Sequence, residues 1–182
     1  AIACHKRKAD LKFAVLFLDL DRFKVVNDSL GHHAGDLLLQ EVAKELKILV
    51  RDKDTVSRLG GDEFVILIED LDSNDEAYEV AQRITDFLAG PFIENQSIFI
   101  GTSIGVLIND ERYDSADIML RDADTAMYHA KDQGKGRYEV FDSSMQKKVQ
   151  NALELEADIR DGIAKSEFLP YFQPIVVPIK ML

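Results

Sequence analysis

Four carboxylates of this chain are placed so that they could do chemistry together. Asp19 and Asp21 follow the apolar run Phe13 to Leu18; Asp62 and Glu63 follow Gly60 and Gly61, between the β-competent runs Thr55 to Leu59 and Phe64 to Ile68. Neighbouring strands lie about 5 Å apart, so carboxylates at adjoining strand ends can share a hard divalent cation. Magnesium, or manganese in its place, is the natural guest. It takes one or two protein carboxylates and completes its octahedron with water and substrate phosphates, which points toward nucleotide chemistry. Taken alone, an Asp-Glu pair in a hairpin turn is ordinary solvated turn chemistry. The elements that carry these residues therefore have to place them together.

The run FAVLFL, Phe13 to Leu18, is continuous and apolar, the pattern of a strand buried on both faces. Leu37, Leu38, Val42, Leu46 and Leu49 recur at helical spacing and predict an amphipathic helix over Asp36 to Val50. Thr55 to Leu59 and Phe64 to Ile68 read as a hairpin whose Gly60-Gly61-Asp62-Glu63 turn needs glycine's freedom at positive φ. A helix over Asp72 to Ala89, with Ser73 as N-cap, stops at Gly90-Pro91. A β run over Ile98 to Ile108, a helix over Ser115 to Lys131 and a short strand over Tyr138 to Phe141 follow. The order βαββαβαβ predicts an α/β (α+β) fold, one sheet covered by helices. After Asp142 the character changes: a charged helix over Ser144 to Lys165 leads to the apolar run Phe168 to Val177, a strand with no partner after it. It reads as the edge of a second domain.

Composition excludes several classes. The 182 residues are 46% hydrophobic and 30% charged with few glycines and prolines, which fits a folded globule and not a disordered or low-complexity chain. A net charge of −11 disfavours passive binding to nucleic acid or anionic lipid. The lone cysteine, Cys4, cannot form an intrachain disulfide, so a reducing, cytoplasmic setting is expected. The apolar runs fall far short of the ~20 residues of a membrane-spanning helix, and no membrane contact is expected of these residues.

Arg58-Leu59-Gly60-Gly61-Asp62-Glu63-Phe64 contains the string GGDEF. Together with FLDLDRFKVVND (Phe17 to Asp28), SLGHHAGD (Ser29 to Asp36) and AMYHAKDQGKGRY (Ala126 to Tyr138), it gives the region from about Phe13 to Asp142 a strong resemblance to GGDEF diguanylate cyclases. The resemblance implies a nucleotidyl-cyclase, ferredoxin-like palm: a central, mostly antiparallel sheet covered by helices. It implies condensation of two GTP molecules into cyclic di-GMP plus two pyrophosphates, across a homodimer in which each domain holds one GTP. Asp19, the Leu20 carbonyl and Asp62 would bind magnesium, with Glu63 assisting in metal binding or proton removal; Asp62 and Glu63 are the catalytic pair. Asn27 and Asp36 would read the guanine edge, as an amide and a carboxylate can. Lys24, with the amides around it, matches the phosphate cradle, and Lys131 and Lys135 a basic pair on the outer phosphates. Lys135 stands where arginine is commoner, keeping the charge and losing the bidentate fork. His32 falls at the family's usual histidine.

Arg51 and Asp54 form an R-x-x-D at the spacing of the family's inhibitory site, where cyclic di-GMP, the product, would bind; by chance such a pair is usually a surface ion pair. Leu155 to Val176 resembles the opening helix and first strand of EAL phosphodiesterase domains, without the E-A-L signature or its metal ligands. The expected organisation is a GGDEF domain over 1–142, a linker helix over 143–166 and the first strand of an EAL domain over 167–182. The family's segment before the first strand is not seen ahead of Phe13. The alternative is a catalytically silent GTP-binding module that controls an adjacent EAL phosphodiesterase.

Overall fold

The chain is described from a computed structural model, over residues 12–92 and 98–173. It divides into two units, Ala1–Gln146 and Lys147–Leu182. The first strand, β1 (Lys12–Asp21), is buried from Phe13 through Asp21, as its continuous apolar run predicts. It is the middle strand of a five-stranded sheet in the order β2-β3-β1-β6-β7. Here β2 is Thr55–Gly60, β3 Glu63–Leu71, β6 Gly101–Ile108 and β7 Arg137–Val140. All pairings are antiparallel except β6 with β7, which is parallel. A separate ribbon pairs β4 (Pro91–Phe92) with β5 (Ile98–Phe99).

Alternation of side chains sorts β1 into two faces. Ala14, Leu16, Leu18 and Leu20 join a core with Phe23 and Val26 of α1 (Phe23–Leu30), Leu38, Val42 and Leu46 of α2 (His32–Leu49), and Val80, Ile84 and Leu88 of α3 (Asn74–Leu88). Phe13, Val15 and Phe17 face Met119, Ala123 and Met127 of α4 (Ala116–Asp132). Each fully buried leucine or isoleucine contributes about 1.5–3 kcal/mol. Helix α4 lies directly on β6: a Cβ added at Gly105 would stand 1.9 Å from the Ala123 carbonyl oxygen. Ser115 caps α4 by accepting from the Asp117 amide at 3.2 Å.

Several elements differ from the sequence reading. The helix expected from Asp36 begins at His32, and a separate helix, α1, precedes it. Gly31, at φ +84, breaks the two apart; α1 buries only Phe23 and Val26, too few to show as a periodic pattern. The signature turn is tighter than expected: Gly60 pairs with Glu63, leaving Gly61 and Asp62 as the turn. The run Ile98 to Ile108 is interrupted at Ile100 between β5 and β6. Ser73 occupies the N-cap of α3 without a side-chain capping bond. Phe168–Gln173 form no strand, since no neighbouring strand pairs with them among the described residues; the rest of that expected strand lies outside the described residues. The last helix, α5 (Ser143–Ala164), starts in the first unit, where Met145 is buried and Gln146 donates to Asp122 at 2.6 Å. In the second unit, Arg160 with Glu156 and Lys165 with Asp161 form exposed pairs one helical turn apart.

Candidate active site at the signature turn

The turn of the β2–β3 hairpin is docked on the end of β1. Gly61 supplies the positive φ of +53, and Arg58 donates from Nε and Nη2 to the Gly61 carbonyl at 2.9 and 2.7 Å. The Asp62 carbonyl accepts from the Leu20 amide at 3.3 Å. As the first residue of β3, Glu63 sits opposite Asp19 in the β1–β3 register. Cross-strand neighbours of this kind have Cβ atoms about 5 Å apart. The structure thus brings Asp19, Leu20, Asp62 and Glu63 together.

Lys131, near the end of α4, reaches the same point: its Nζ lies 2.7 Å from Asp19 Oδ2. The ammonium does not neutralise the whole cluster. Burial raises the Asp19 carboxyl above its ordinary range, Lys131 opposes the rise, and Asp62 and Asp21 add to it. Glu63 is raised as well, by burial and then by the charges of Asp124, Asp19 and Asp62. Asp124 lies about two helical turns before Lys131 on α4 and is itself raised by burial. The sequence reading did not find Asp124; its one signal was its place on the helix face of Lys131.

Among the described residues, no three His, Cys, Asp or Glu side chains converge as a ready metal cage. A zinc or calcium site would require one; magnesium takes one or two carboxylates and leaves the rest to water and phosphate. The opposed pair Asp19 and Glu63, with Asp62 and the Leu20 carbonyl beside them, is a donor set that fits magnesium, and its mutual repulsion is what a cation relieves. Asp21 is a correction to the four-carboxylate reading. Its Oδ1 accepts from Ser103 Oγ at 2.9 Å and its Oδ2 from the Gly136 amide at 3.0 Å, so both oxygens are already engaged.

Asn27 lies against α2 at a glycine: a Cβ at Gly35 would stand 1.9 Å from Asn27 Oδ1, which sets the amide on the first turn of α2, and Asp36 is the residue that follows Gly35 in the chain. Asp36 is exposed, as are Lys24 in the first turn of α1 and His32, which opens α2. Arg22 holds the N-cap of α1 in a left-handed conformation, φ 65, without a side-chain capping bond. The first amides of a helix have no partner within it, which makes this end a seat for anions. Lys135 is exposed, at φ 66, in the loop after α4.

Arg51 and Asp54 lie in the loop between α2 and β2, and their charges are already occupied. Arg51 Nη2 bonds Glu76 Oε2. Asp54 accepts from the Arg51 amide at 2.9 Å and from the Glu69 amide at 3.2 Å. Glu76 also accepts from the Asp72 amide at 2.9 Å, and its carboxyl is held below the ordinary range, by Arg51 first.

The sequence model described as "Diguanylate cyclase, GGDEF domain" matches residues 1–137. The bifunctional diguanylate cyclase/cyclic di-GMP phosphodiesterase MucR of Pseudomonas aeruginosa is 43% identical over 169 residues, 92% of this chain and 24% of MucR. Among solved structures, the GGDEF domain of TpbB from P. aeruginosa superposes with a TM-score of 0.77 at 35% identity, covering 82% of this chain and 88% of that one. An EAL/GGDEF domain protein from M. capsulatus gives 0.69 at 45% identity, covering 78% and 91%. The chain belongs to the GGDEF diguanylate cyclase domain family, and its five-stranded sheet with flanking helices is that family's fold. It spans about a quarter of the length of MucR. No helix among the described residues is long and apolar enough to cross a membrane.

Proposed function

We propose that this domain condenses two GTP molecules into cyclic di-GMP with release of two pyrophosphates. The observation that supports the reading best is the β1–β3 register, which sets Glu63 opposite Asp19 with Asp62 tied to Leu20. Asn27 and Asp36 select guanine through its hydrogen-bonding edge. Lys24 and the first amides of α1 cradle phosphates, Lys131 and Lys135 engage the outer ones, and His32 borders the nucleotide at the start of α2. Asp19, the Leu20 carbonyl, Asp62 and Glu63 would hold magnesium or manganese, which when bound supplies the positive charge that offsets charge developing on the α-phosphate. Glu63, opposite Asp19 at the start of β3, accepts the proton of the attacking 3′-hydroxyl. Each domain holds one GTP, so two domains of a homodimer face each other to align hydroxyl and phosphate. Cyclic di-GMP inhibits at Arg51 and Asp54, displacing Glu76 from the guanidinium. The setting is cytoplasmic, residues 1–142 are the cyclase domain and 143–166 the linker, and residues 167–182 open a phosphodiesterase domain.

One observation favours a second reading. Lys131 already lies on Asp19, an ion pair that a GTP-binding regulatory module could keep permanently. The test is incubation with GTP and magnesium over a range of protein concentrations, with chromatographic separation of the nucleotides. Cyclic di-GMP formed at a rate steeper than linear in protein supports the cyclase. GTP retained but unchanged supports the module.

A further inference from the structure

We propose that Asp21 is a positioning residue for the outer phosphates of GTP, acting through the loop that carries Lys135; the inference rests on the GTP site proposed above. Asp21 ends β1 and is 5% exposed. Its carboxylate joins two segments far apart in sequence, accepting from Ser103 Oγ of β6 and from the Gly136 amide. A third residue makes room for it: a Cβ at Gly101 would come within 3.0 Å of Asp21 Oδ2. Both donors are neutral, an expensive way to bury a carboxylate and one that needs both bonds intact.

The arrangement fixes a strained loop. Gly134, Lys135 and Gly136 take φ values of +114, +66 and +59, three left-handed residues in succession, of which the lysine carries a side chain that disfavours that conformation. On one side, the Lys135 amide bonds the Ala130 carbonyl in the last turn of α4 at 3.1 Å. On the other side, the Gly136 amide is held by Asp21. Lys135 is thereby clamped between the helix end and β1. The clamped loop, together with Asp21, Arg22, Phe99 and Gly101, lines a cavity of about 290 Å³ that presents the two cations Arg22 and Lys135. With its oxygens turned to Ser103 and Gly136, Asp21 orders this wall without offering a free carboxylate to an incoming phosphate.

The test is calorimetric titration of the whole chain, with magnesium, by GMP, GDP and a non-reacting GTP analogue. Asp21→Ala is expected to weaken the GTP analogue about tenfold, the size of one charge-assisted contact, and to leave GMP unchanged. Lys135→Ala gives the same selective loss, and the double variant binds no more weakly than Lys135→Ala alone. Asp21→Asn restores the selectivity, because a serine hydroxyl accepts from an amide as readily as it donates to a carboxylate. Where Asp21→Ala does not fold, Asp21→Ser serves: its single hydroxyl, one bond shorter, keeps a polar group at the end of β1 and cannot hold both Ser103 and Gly136, and the same selective loss is expected. Equal weakening of GMP and the GTP analogue overturns the proposal, as do additive losses in the double variant. So does an Asp21→Asn chain as impaired as Asp21→Ala with a raised magnesium requirement, which would make Asp21 a metal ligand. Unchanged selectivity in Asp21→Ala, with normal binding by the parent chain, removes this inference alone; a parent chain that binds no guanine nucleotide removes the GTP site itself.

Discussion

At the signature turn, Lys131 pairs with Asp19 and acts on Glu63 and Asp124, and burial together with repulsion among Asp19, Asp62 and Glu63 lifts the carboxyls of Asp19 and Glu63. At the Arg51–Asp54 loop the opposite holds: the guanidinium is paired with Glu76, Asp54 is spent on two backbone amides, and Glu76 is lowered. Both regions carry a family motif. The first keeps negative charge in surplus and needs a cation to be comfortable; in the second, Arg51, Asp54 and Glu76 each have a protein partner that a ligand must displace. Surplus of that kind costs stability and marks chemistry, whereas satisfied charge marks architecture that a ligand can borrow.

Removing one of the surplus carboxylates gives the largest expected effect. Asp62→Ala should lower turnover about a hundredfold to a thousandfold, the scale of losing one electrostatic group at a transition state. Its melting temperature should hold or rise, because repulsion on Asp19 and Glu63 is relieved. Full turnover in the Asp62→Ala chain would put the chemistry elsewhere. A smaller loss is expected from a residue that touches no substrate. In Gly35→Ala the new methyl occupies the place of Asn27 Oδ1 and turns the amide away. Preference for GTP over ATP should fall about tenfold, matching Asn27→Ala, as expected for one lost base-reading contact. Unaltered preference in Gly35→Ala would show that Asn27 does not read the base.

How far the sequence reveals these two regions follows from the range of the interactions. The central strand was legible because a run such as FAVLFL reports burial on both faces locally. The carboxylates at its end were legible as types, and the family resemblance grouped them, but their register was not: the turn reading left Glu63 beside Asp62, and the Gly60–Glu63 pairing moves it into β3, opposite Asp19. Asp21 looked like a fourth member of the cluster because nothing local records that Ser103 and Gly136 take its two oxygens. Helix α1 was hidden for another reason: eight residues with two buried side chains leave too little periodicity to see. The strand expected at Phe168 illustrates the converse, since apolar and aromatic residues favour a strand yet form one only beside a partner.

At the occupied loop the expected change is a modest gain. Glu76→Gln removes the carboxylate that holds Arg51 and leaves a side chain of the same size. The affinity for cyclic di-GMP should rise about fivefold, the scale of one exposed ion pair that the ligand no longer has to break. Weaker binding in Glu76→Gln would place Glu76 within the ligand site and erase the contrast with the signature turn. Arg51→Ala supplies the reference, with product inhibition relieved and turnover at low product unchanged.

The smallest effects are opposite responses to pH. Glu63 and Asp19 bind a proton more readily in the folded chain than in the unfolded one, so their contribution to stability is full below the ordinary carboxylate range and is lost as the pH rises through their elevated values. Glu76 is lowered by Arg51 and by backbone amides; its contribution is present above the ordinary range and is lost as the pH falls through its depressed value. Carbon-13 titration of the side-chain carboxyls without magnesium should therefore place the midpoint of Glu63 above that of an ordinary glutamate and the midpoint of Glu76 below it. Added magnesium should pull the Glu63 midpoint down, because a bound cation favours the ionised form, and leave Glu76 where it was. Added salt should move Glu76 back toward the ordinary value, since its pairing is near the surface and screened. If both midpoints lie on the same side of the ordinary value, surplus and satisfied charge do not distinguish the two regions. If magnesium moves neither, the carboxylates around Lys131 are balanced by the protein itself, and the end of β1 is built as the Arg51 loop is.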